Sequence, residues 1–337
     1  MNKILTICIP TYNRKEVLIN EVKDYLSVND NRFLVKVSDN CSTDGTQEAL
    51  KTIEDSRLVI NYNKENLGSI PNWIKALSDN ESEYLIFTLD KDLVDINQLK
   101  SFLDFLECEK PCFGYADLDI SKPIGYEKME PGFDNVLKMA YLDKHPSGYF
   151  YRRDLFEEAI KKDSFLRLDK RFDFPFEVIN AELAVSYPSA IVKGGLITTA
   201  NRRQDTKEGK TLSYDDSNIW FGAPRKLIEY KYYFISAQNI GLSKSNTIGL
   251  LYHLLYRSYL DVTISLRNLM RNDVVCTHYN IKQRNVSLAE MRNNLKKMQN
   301  VFASNTYQTI PFINRCIIDK WALLKCYSRI IWQYIKR

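Results

Sequence analysis

Hydrophobic and polar positions switch between two periods along the first 120 residues. Runs rich in β-branched and aromatic side chains, at 4–9, 33–38, 58–62, 84–89 and 112–116, read as strands. Between them apolar residues recur at helical spacing. Leu18, Val22, Tyr25 and Leu26 form the first such set, and Thr46, Ala49, Leu50 and Ile53 the second. Ile70, Trp73, Ile74 and Leu77 form the third, and Ile96, Leu99, Phe102, Leu103 and Leu106 the fourth. Strand–helix alternation predicts an α/β fold with a mostly parallel sheet, flanked by helices through right-handed crossovers. Asn13, Asp44, Asp95 and Asp154 each stand three residues before Glu or Gln and mark helix starts. For Asp95 this favours a capping role over a place among metal ligands.

Residues 121–210 mix both patterns and carry Gly and Pro punctuation. From about Tyr214 the pattern turns helical, with long segments near 219–238, 248–270 and 288–302. The expected organisation is therefore 1–120, 121–210 and a helical C-terminal region, 211–337.

At 337 residues the chain can bury a large core. It has no 18-residue apolar run of the kind that spans a bilayer, and its first residues read as a strand rather than a signal peptide. Seven scattered cysteines without a C-x-x-C pattern predict reduced thiols and a cytoplasmic setting. The net charge of +5 is concentrated in 314–337, where Arg315, Lys320, Lys325, Arg329, Lys336 and Arg337 face one acid, Asp319. A neutral body with a basic tail does not suggest a nucleic-acid-binding protein.

Candidate chemistry gathers at the carboxyl ends of the predicted strands, where open α/β sheets bind ligands. Pro10 stiffens the exit from the first. Beyond it Thr11 and Tyr12 can meet a base or ribose, and Arg14 a phosphate. Asp39, directly off the second strand, can accept from a base N–H or a ribose hydroxyl. After the third strand Gly68 permits a tight turn before a helix. Asp90 and Asp92 follow the buried run 84–89, and their spacing could hold one hard divalent cation against a diphosphate.

Thr6-Ile7-Cys8-Ile9-Pro10-Thr11-Tyr12-Asn13-Arg14 resembles the opening strand of family 2 glycosyltransferases of the GT-A fold. Val37-Ser38-Asp39-Asn40-Cys41-Ser42-Thr43-Asp44-Gly45-Thr46 resembles their second-strand motif. The segment 63–72 is similar to their Asn-x-Gly segment with a later Asn, here Asn66, Gly68 and Asn72. Leu89-Asp90-Lys91-Asp92 falls where the family carries its metal-binding acids. A fainter likeness continues through 146–153 and fades after about residue 200.

The resemblance implies a GT-A, Rossmann-like sheet and inverting transfer of a sugar from a nucleotide donor, most often a UDP-sugar. By position Asp39 would contact the base, framed by Thr11 and Tyr12. Asp90 would face the ribose and metal, and Asp92 would ligate Mn²⁺ or Mg²⁺. The acceptor would be a glycan or lipid-linked saccharide of a bacterial surface polysaccharide. The family's catalytic base usually lies in a Glu-Asp pair, which is absent here. Glu177, among apolar neighbours and two residues after Pro175, is the first candidate, and Asp173 the second. His145, Ser147 and Gly148 form a candidate acceptor-side loop. Arg202 and Arg203, after the apolar segment 196–200, could reach the diphosphate.

Two other readings compete. One is a non-catalytic scaffold or glycan-binding relative that lost the base. The other is a nucleotidyltransferase, disfavoured because no Gly-rich basic phosphate loop follows the first strand. In the last helical segment Ile317, Trp321, Leu324, Ile331 and Ile335 fall on one stripe with basic flanks. That stripe suits an anionic membrane surface at the inner face of the cell membrane. It equally suits packing on the domain or on a second subunit of a homo-oligomer.

Overall fold

The computed structural model describes residues 3–118, 123–166, 168, 172–198, 223–278, 281–307 and 309–335. It forms two compact units, one of Met1–Leu166 with Phe174–Thr206, the other of Arg167–Asp173 with Lys207–Arg337.

The first unit opens with β1 (Leu5–Thr11), α1 (Lys15–Ser27), β2 (Phe33–Asp39), α2 (Thr46–Lys51), β3 (Leu58–Tyr62), α3 (Ser69–Leu77) and β4 (Tyr84–Phe87). It continues through β5 (Leu93–Val94), α4 (Ile96–Glu109), β6 (Phe113–Ala116), β7 (Gly125–Met129), α5 (Phe133–Met139), β8 (Tyr149–Arg152), α6 (Arg153–Ala159) and α7 (Asp163–Leu166). It closes with α8 (Pro175–Ser186), β9 (Ser189–Lys193) and β10 (Ile197–Thr198). The main sheet runs β3-β2-β1-β4-β8-β6-β9-β7, and β5 pairs with β10 beside it. β3, β2, β1 and β4 are mutually parallel, β6 is parallel to β9, and β8 and β7 run against their neighbours. This is the expected mostly parallel α/β sheet. β7, β8 and β9 join the same sheet, so the described parts of the stretches 1–120 and 121–198 share one core.

β1 and β4 are buried along their whole length because helices cover both faces of a parallel sheet. Leu18, Val22 and Tyr25 bring α1 onto one face, and Leu99, Phe102, Leu103 and Leu106 bring α4 there. Gly114 in β6 leaves room for its neighbours, since a Cβ there would stand 2.2 Å from both the Ala190 carbonyl and the Phe150 ring.

Helix starts follow the capping pattern only in part. Asp95 caps α4, its carboxylate accepting from Asn97 N–H at 2.9 Å. Asn13 does not cap α1. It sits at φ 52° and accepts from the Thr43 N–H at 2.8 Å, across two loops. Asp154 lies inside the first turn of α6 and pairs with Arg152 instead. Asp44 serves two helices. Oδ1 accepts from the Thr46 N–H at 3.1 Å, opening α2, and Oδ2 from the Lys15 N–H at 3.0 Å, opening α1.

The second unit is helical: α9 (Ala223–Ala237), α10 (Lys244–Leu260), α11 (Leu266–Met270), α12 (Asp273–His278), α13 (Leu288–Thr306) and α14 (Phe312–Ile335). The expected helix at 248–270 is broken in register by a π-helical turn, Asp261–Ser265. Leu250, Leu254, Tyr259, Phe234, Met298 and Phe302 are buried in its core. Residues 199–222 lie outside the described residues, and with them Arg202 and Arg203.

Candidate functional site

Strand order places a switch point at β1, with β2 on one side and β4 on the other. Successive crossovers leave in opposite directions there, which opens a crevice at the carboxyl ends. Thr11 and Asp39 end their strands in register with each other. The chain leaving β4 brings Asp90 to the same edge, where the Thr11 hydroxyl donates to Oδ2 at 2.9 Å and Arg14 Nε stands 3.5 Å from Oδ1. Burial raises the Asp90 carboxyl above its ordinary range, opposed by Arg14 and by the Thr11 hydrogen bond. Pro10 is buried behind Thr11, while Tyr12 is 44% exposed at the rim.

Asp39 is fully buried. Its Oδ2 accepts from the Ser42 N–H at 3.1 Å and from Gln47 Nε2 at 2.7 Å. Its Oδ1 is buried with no hydrogen-bond partner. An unsatisfied buried acceptor costs about 1–3 kcal/mol and calls for an explanation. A ligand N–H donor would remove that cost. Gln47, which orients this carboxylate, reads in the sequence only as the far half of a capping pattern.

The loop after β3 is held by a network of asparagines. Asn72, buried in α3, accepts from the Ser38 hydroxyl at 2.8 Å and from Asn63 Nδ2 at 2.9 Å, and donates to the Ser38 carbonyl at 3.1 Å. Asn40 donates to Asn66 at 2.8 Å and accepts from the Leu67 N–H at 2.9 Å. Asn66 also receives the Gly68 N–H at 2.9 Å, and Gly68 turns at φ 86°. Asn66 and Gly68 are exposed, whereas Asn72 is spent on the frame. Asn40 and Asn63 fall within the quoted motifs, but the sequence assigns them no role, because their partners are many positions away.

Asp92 is fully buried beside the loop that precedes β8. Its Oδ2 accepts from the Ser147 hydroxyl, and His145 Nδ1 stands 3.7 Å away. Ser147 also takes the Leu89 N–H at 3.0 Å, and Gly148 donates to the Phe87 carbonyl at 2.9 Å. Gly148 has φ 106°, and a Cβ there would meet the Ala116 carbonyl at 2.7 Å. Ser147 and Gly148, the candidate acceptor-side residues, are both buried, Ser147 as a brace for Asp92 and Gly148 against Phe87 and Ala116. His145 remains at the rim, 30% exposed. Burial lowers its pKa, so the ring is held neutral, and its Nδ1 accepts from the Ser147 N–H at 3.3 Å.

Among the described residues no third carboxylate, imidazole or thiol stands with Asp90 and Asp92 as a ready-made cluster. Two carboxylates are nonetheless a fitting donor set for Mn²⁺ or Mg²⁺. Such ions prefer oxygen, retain waters and take their remaining ligands from substrate phosphates.

Glu177 lies in the first turn of α8, a helix buried on nearly every side. Its Oε2 accepts from the Leu142 N–H at 2.9 Å, and Oε1 from the Lys144 N–H at 3.0 Å and the Tyr149 hydroxyl at 2.7 Å. Burial raises its carboxyl above the ordinary value, Asp143 adds to this, and Lys144 and the hydrogen bonds oppose it. Both oxygens are engaged, and what they hold is the loop that ends in His145 and Ser147. Asp173, the second candidate, belongs to the other unit, where it is paired with Arg225. The structure thus brings Thr11, Arg14, Asp39, Asp90 and Asp92 to one sheet edge and leaves Asp173 out of that cluster.

A mostly parallel sheet with acids at its switch point, one of them offering a bare buried oxygen, is a GT-A-like arrangement. Residues 6–159 match the family "Glycosyl transferase family 2". Over 111 residues it is 28% identical to the putative teichuronic acid biosynthesis glycosyltransferase TuaG of Bacillus subtilis (strain 168), covering 32% of this chain and 44% of that one. Over 120 residues it is 27% identical to the UDP-Glc:alpha-D-GlcNAc-diphosphoundecaprenol beta-1,3-glucosyltransferase WfaP of Escherichia coli, covering 36% and 48%. The matched stretches span less than half of either relative. The structure of S. aureus TarS 1–349 in complex with UDP superposes with a TM-score of 0.55 at 15% identity, covering 96% of this chain and 88% of that one. It shares the fold.

Proposed function

We propose that the protein transfers a sugar, with inversion, from a nucleotide diphosphate donor to a hydroxyl of a glycan or lipid-linked acceptor in bacterial surface polysaccharide synthesis. The observation that carries this reading is the buried, unpartnered Oδ1 of Asp39 beside Thr11 and Asp90. A uracil ring offers an N–H of the kind this oxygen lacks, as does guanine, and we assign a UDP-sugar as the donor. The complex of TarS with UDP and the UDP-Glc donor in the name of WfaP support the same choice. Tyr12 covers the base at the rim, Arg14 and Asp90 meet the ribose and phosphates, and the Asn66–Gly68 turn walls the far side.

Asp92 and Asp90 would hold Mn²⁺ or Mg²⁺, which when bound neutralises charge developing on the diphosphate leaving group. Ser147 orients Asp92, and His145 stands where an acceptor would enter.

Glu177 is kept as the proposed base, supported by the upward shift of its carboxyl. A second reading is favoured by its three hydrogen bonds: Glu177 clasps the loop 142–147 and acts on the reaction only through Asp92.

A thermal-shift panel of UDP, GDP and CMP and their sugars, with and without Mn²⁺, tests the donor assignment. A ligand at a hundred times its Kd stabilises by about 2.7 kcal/mol. UDP compounds should shift the midpoint most, and more with Mn²⁺. Preference for GDP or CMP would overturn the donor assignment. Tight glycan binding with no turnover on any donor would favour a non-catalytic relative.

A further inference from the structure

We infer that the outer face of α14 is a docking surface for an anionic lipid bilayer. This goes beyond the transfer reaction and does not depend on it. α14 has two apolar stripes rather than one. Ile318, Ala322 and Cys326 are buried and seat the helix on the second unit. On the opposite side Ile313, Ile317, Leu324 and Ile331 are 70, 49, 60 and 57% exposed, flanked by Trp321 at 62% and Trp332 at 48%. The stripe that could have served as an internal seam is thus the one left bare. A contiguous apolar face of this kind on an otherwise charged helix marks an interaction site.

Charge selects the partner. The sole acid of the helix, Asp319, is turned inward and holds hydrogen bonds from the Tyr259 hydroxyl and from Gln299 at 3.0 Å. Lys320 is exposed within the bare stripe. The Lys325 ammonium lies 4.4 Å from the centre of the Tyr256 ring and the Arg329 guanidinium 5.3 Å from that of Trp332, and both residues are exposed, so these cations are held at the surface against aromatic faces. Two copies meeting stripe to stripe would place like charges against each other. Anionic headgroups would instead meet bases at the flanks and at Lys320, with the apolar row and its tryptophans at headgroup depth. Between α10 and α14 a shallow groove of about 350 Å³, lined by Ile248, Tyr252, Ile317 and Trp321, adjoins the stripe and could seat an acyl chain. No described helix is long and apolar enough to cross a membrane, so the contact is one that lies on the surface.

The test is cosedimentation of the full chain with vesicles of phosphatidylcholine alone and of phosphatidylcholine mixed with phosphatidylglycerol, alongside sedimentation velocity without lipid. The protein should pellet with the anionic vesicles and much less with the neutral ones. The triple variant Ile317→Ser, Trp321→Ser, Leu324→Ser should lower anionic partition about tenfold or more, and Lys320→Glu should lower it less. All three changed side chains of the triple variant are exposed, and an unchanged melting midpoint would verify its fold. Failure of the wild type to bind, equal binding by the triple variant, or a wild-type dimer that the variant dissolves would each overturn the inference. Because the readout involves no sugar transfer, its failure is distinguishable from failure of the proposed reaction.

Discussion

The Ser147 hydroxyl donates to Asp92 from 55 positions further along the chain, tying the loop before β8 to the acid that follows β4. This link sets the orientation of a fully buried carboxylate. Ser147→Ala should leave Asp92 short of a donor, and outer-shell losses of this kind typically cost about 10–100-fold in metal affinity. Titrating Mn²⁺ into the UDP-bound protein would read this as a rightward shift of the midpoint. An unchanged Mn²⁺ midpoint would remove Ser147 from the site.

Asp39 should separate binding from folding. Asp39→Asn removes a buried negative charge with one bare oxygen, so resting stability should hold or rise. Donor affinity should fall by about 1–3 kcal/mol, because an amide NH₂ can face the base where an acceptor stood. Comparing the melting midpoint with and without UDP checks both halves. A full UDP-induced shift in the variant contradicts the assignment.

Glu177 and Tyr149 divide the two readings of the base. If Glu177 takes the acceptor proton, Glu177→Gln should lower kcat by about 10²–10⁴-fold while Tyr149→Phe leaves it nearly intact. If Glu177 is a clasp, both variants should lower the melting midpoint, and both should weaken Mn²⁺ response through the loosened loop. The pH dependence has a defined sign. The folded-state pKa is raised above the ordinary 4.5, so the protonated group's contribution to stability is complete below that value and is lost as pH rises through the raised one. Glu177→Gln should flatten stability over that window.

Asp44 is held below the ordinary carboxylate range: burial opposes the shift, and hydrogen bonds from Thr46 and from the Lys15 N–H outweigh it. Its contribution is therefore present above the ordinary pKa and lost as pH falls through the depressed one. Asp44→Ala should cost about 0.5–2 kcal/mol, as for loss of a capping side chain, toward the upper end because the first N–H groups of two helices lose their acceptor. Urea melts at neutral and acid pH should show the difference from wild type shrinking in acid.

What could be read from sequence was local. β3 begins and ends where its pattern does, and Asp95 caps α4, because both depend on residues a few positions apart. Asn13 was misread as a cap because its partner, Thr43, is supplied by another loop. Asp39, Asp90 and Asp92 were legible as residues, since acids directly off buried strands have few structural uses. The bare oxygen of Asp39 and the brace from Ser147 were not, because they depend on packing between distant segments. In α14 periodicity revealed a stripe but not which of two stripes the body would claim.

The asparagine frame beneath the loop after β3 bears on how fast a donor can be captured. Asn40, Asn63 and Asn72 hold that wall against Ser38 and Leu67 through hydrogen bonds made within the protein. A wall that needs no rearrangement keeps association close to the encounter rate and shifts discrimination among nucleotides into dissociation. Competing nucleotides should therefore differ in residence time far more than in capture rate, a split that stopped-flow displacement resolves.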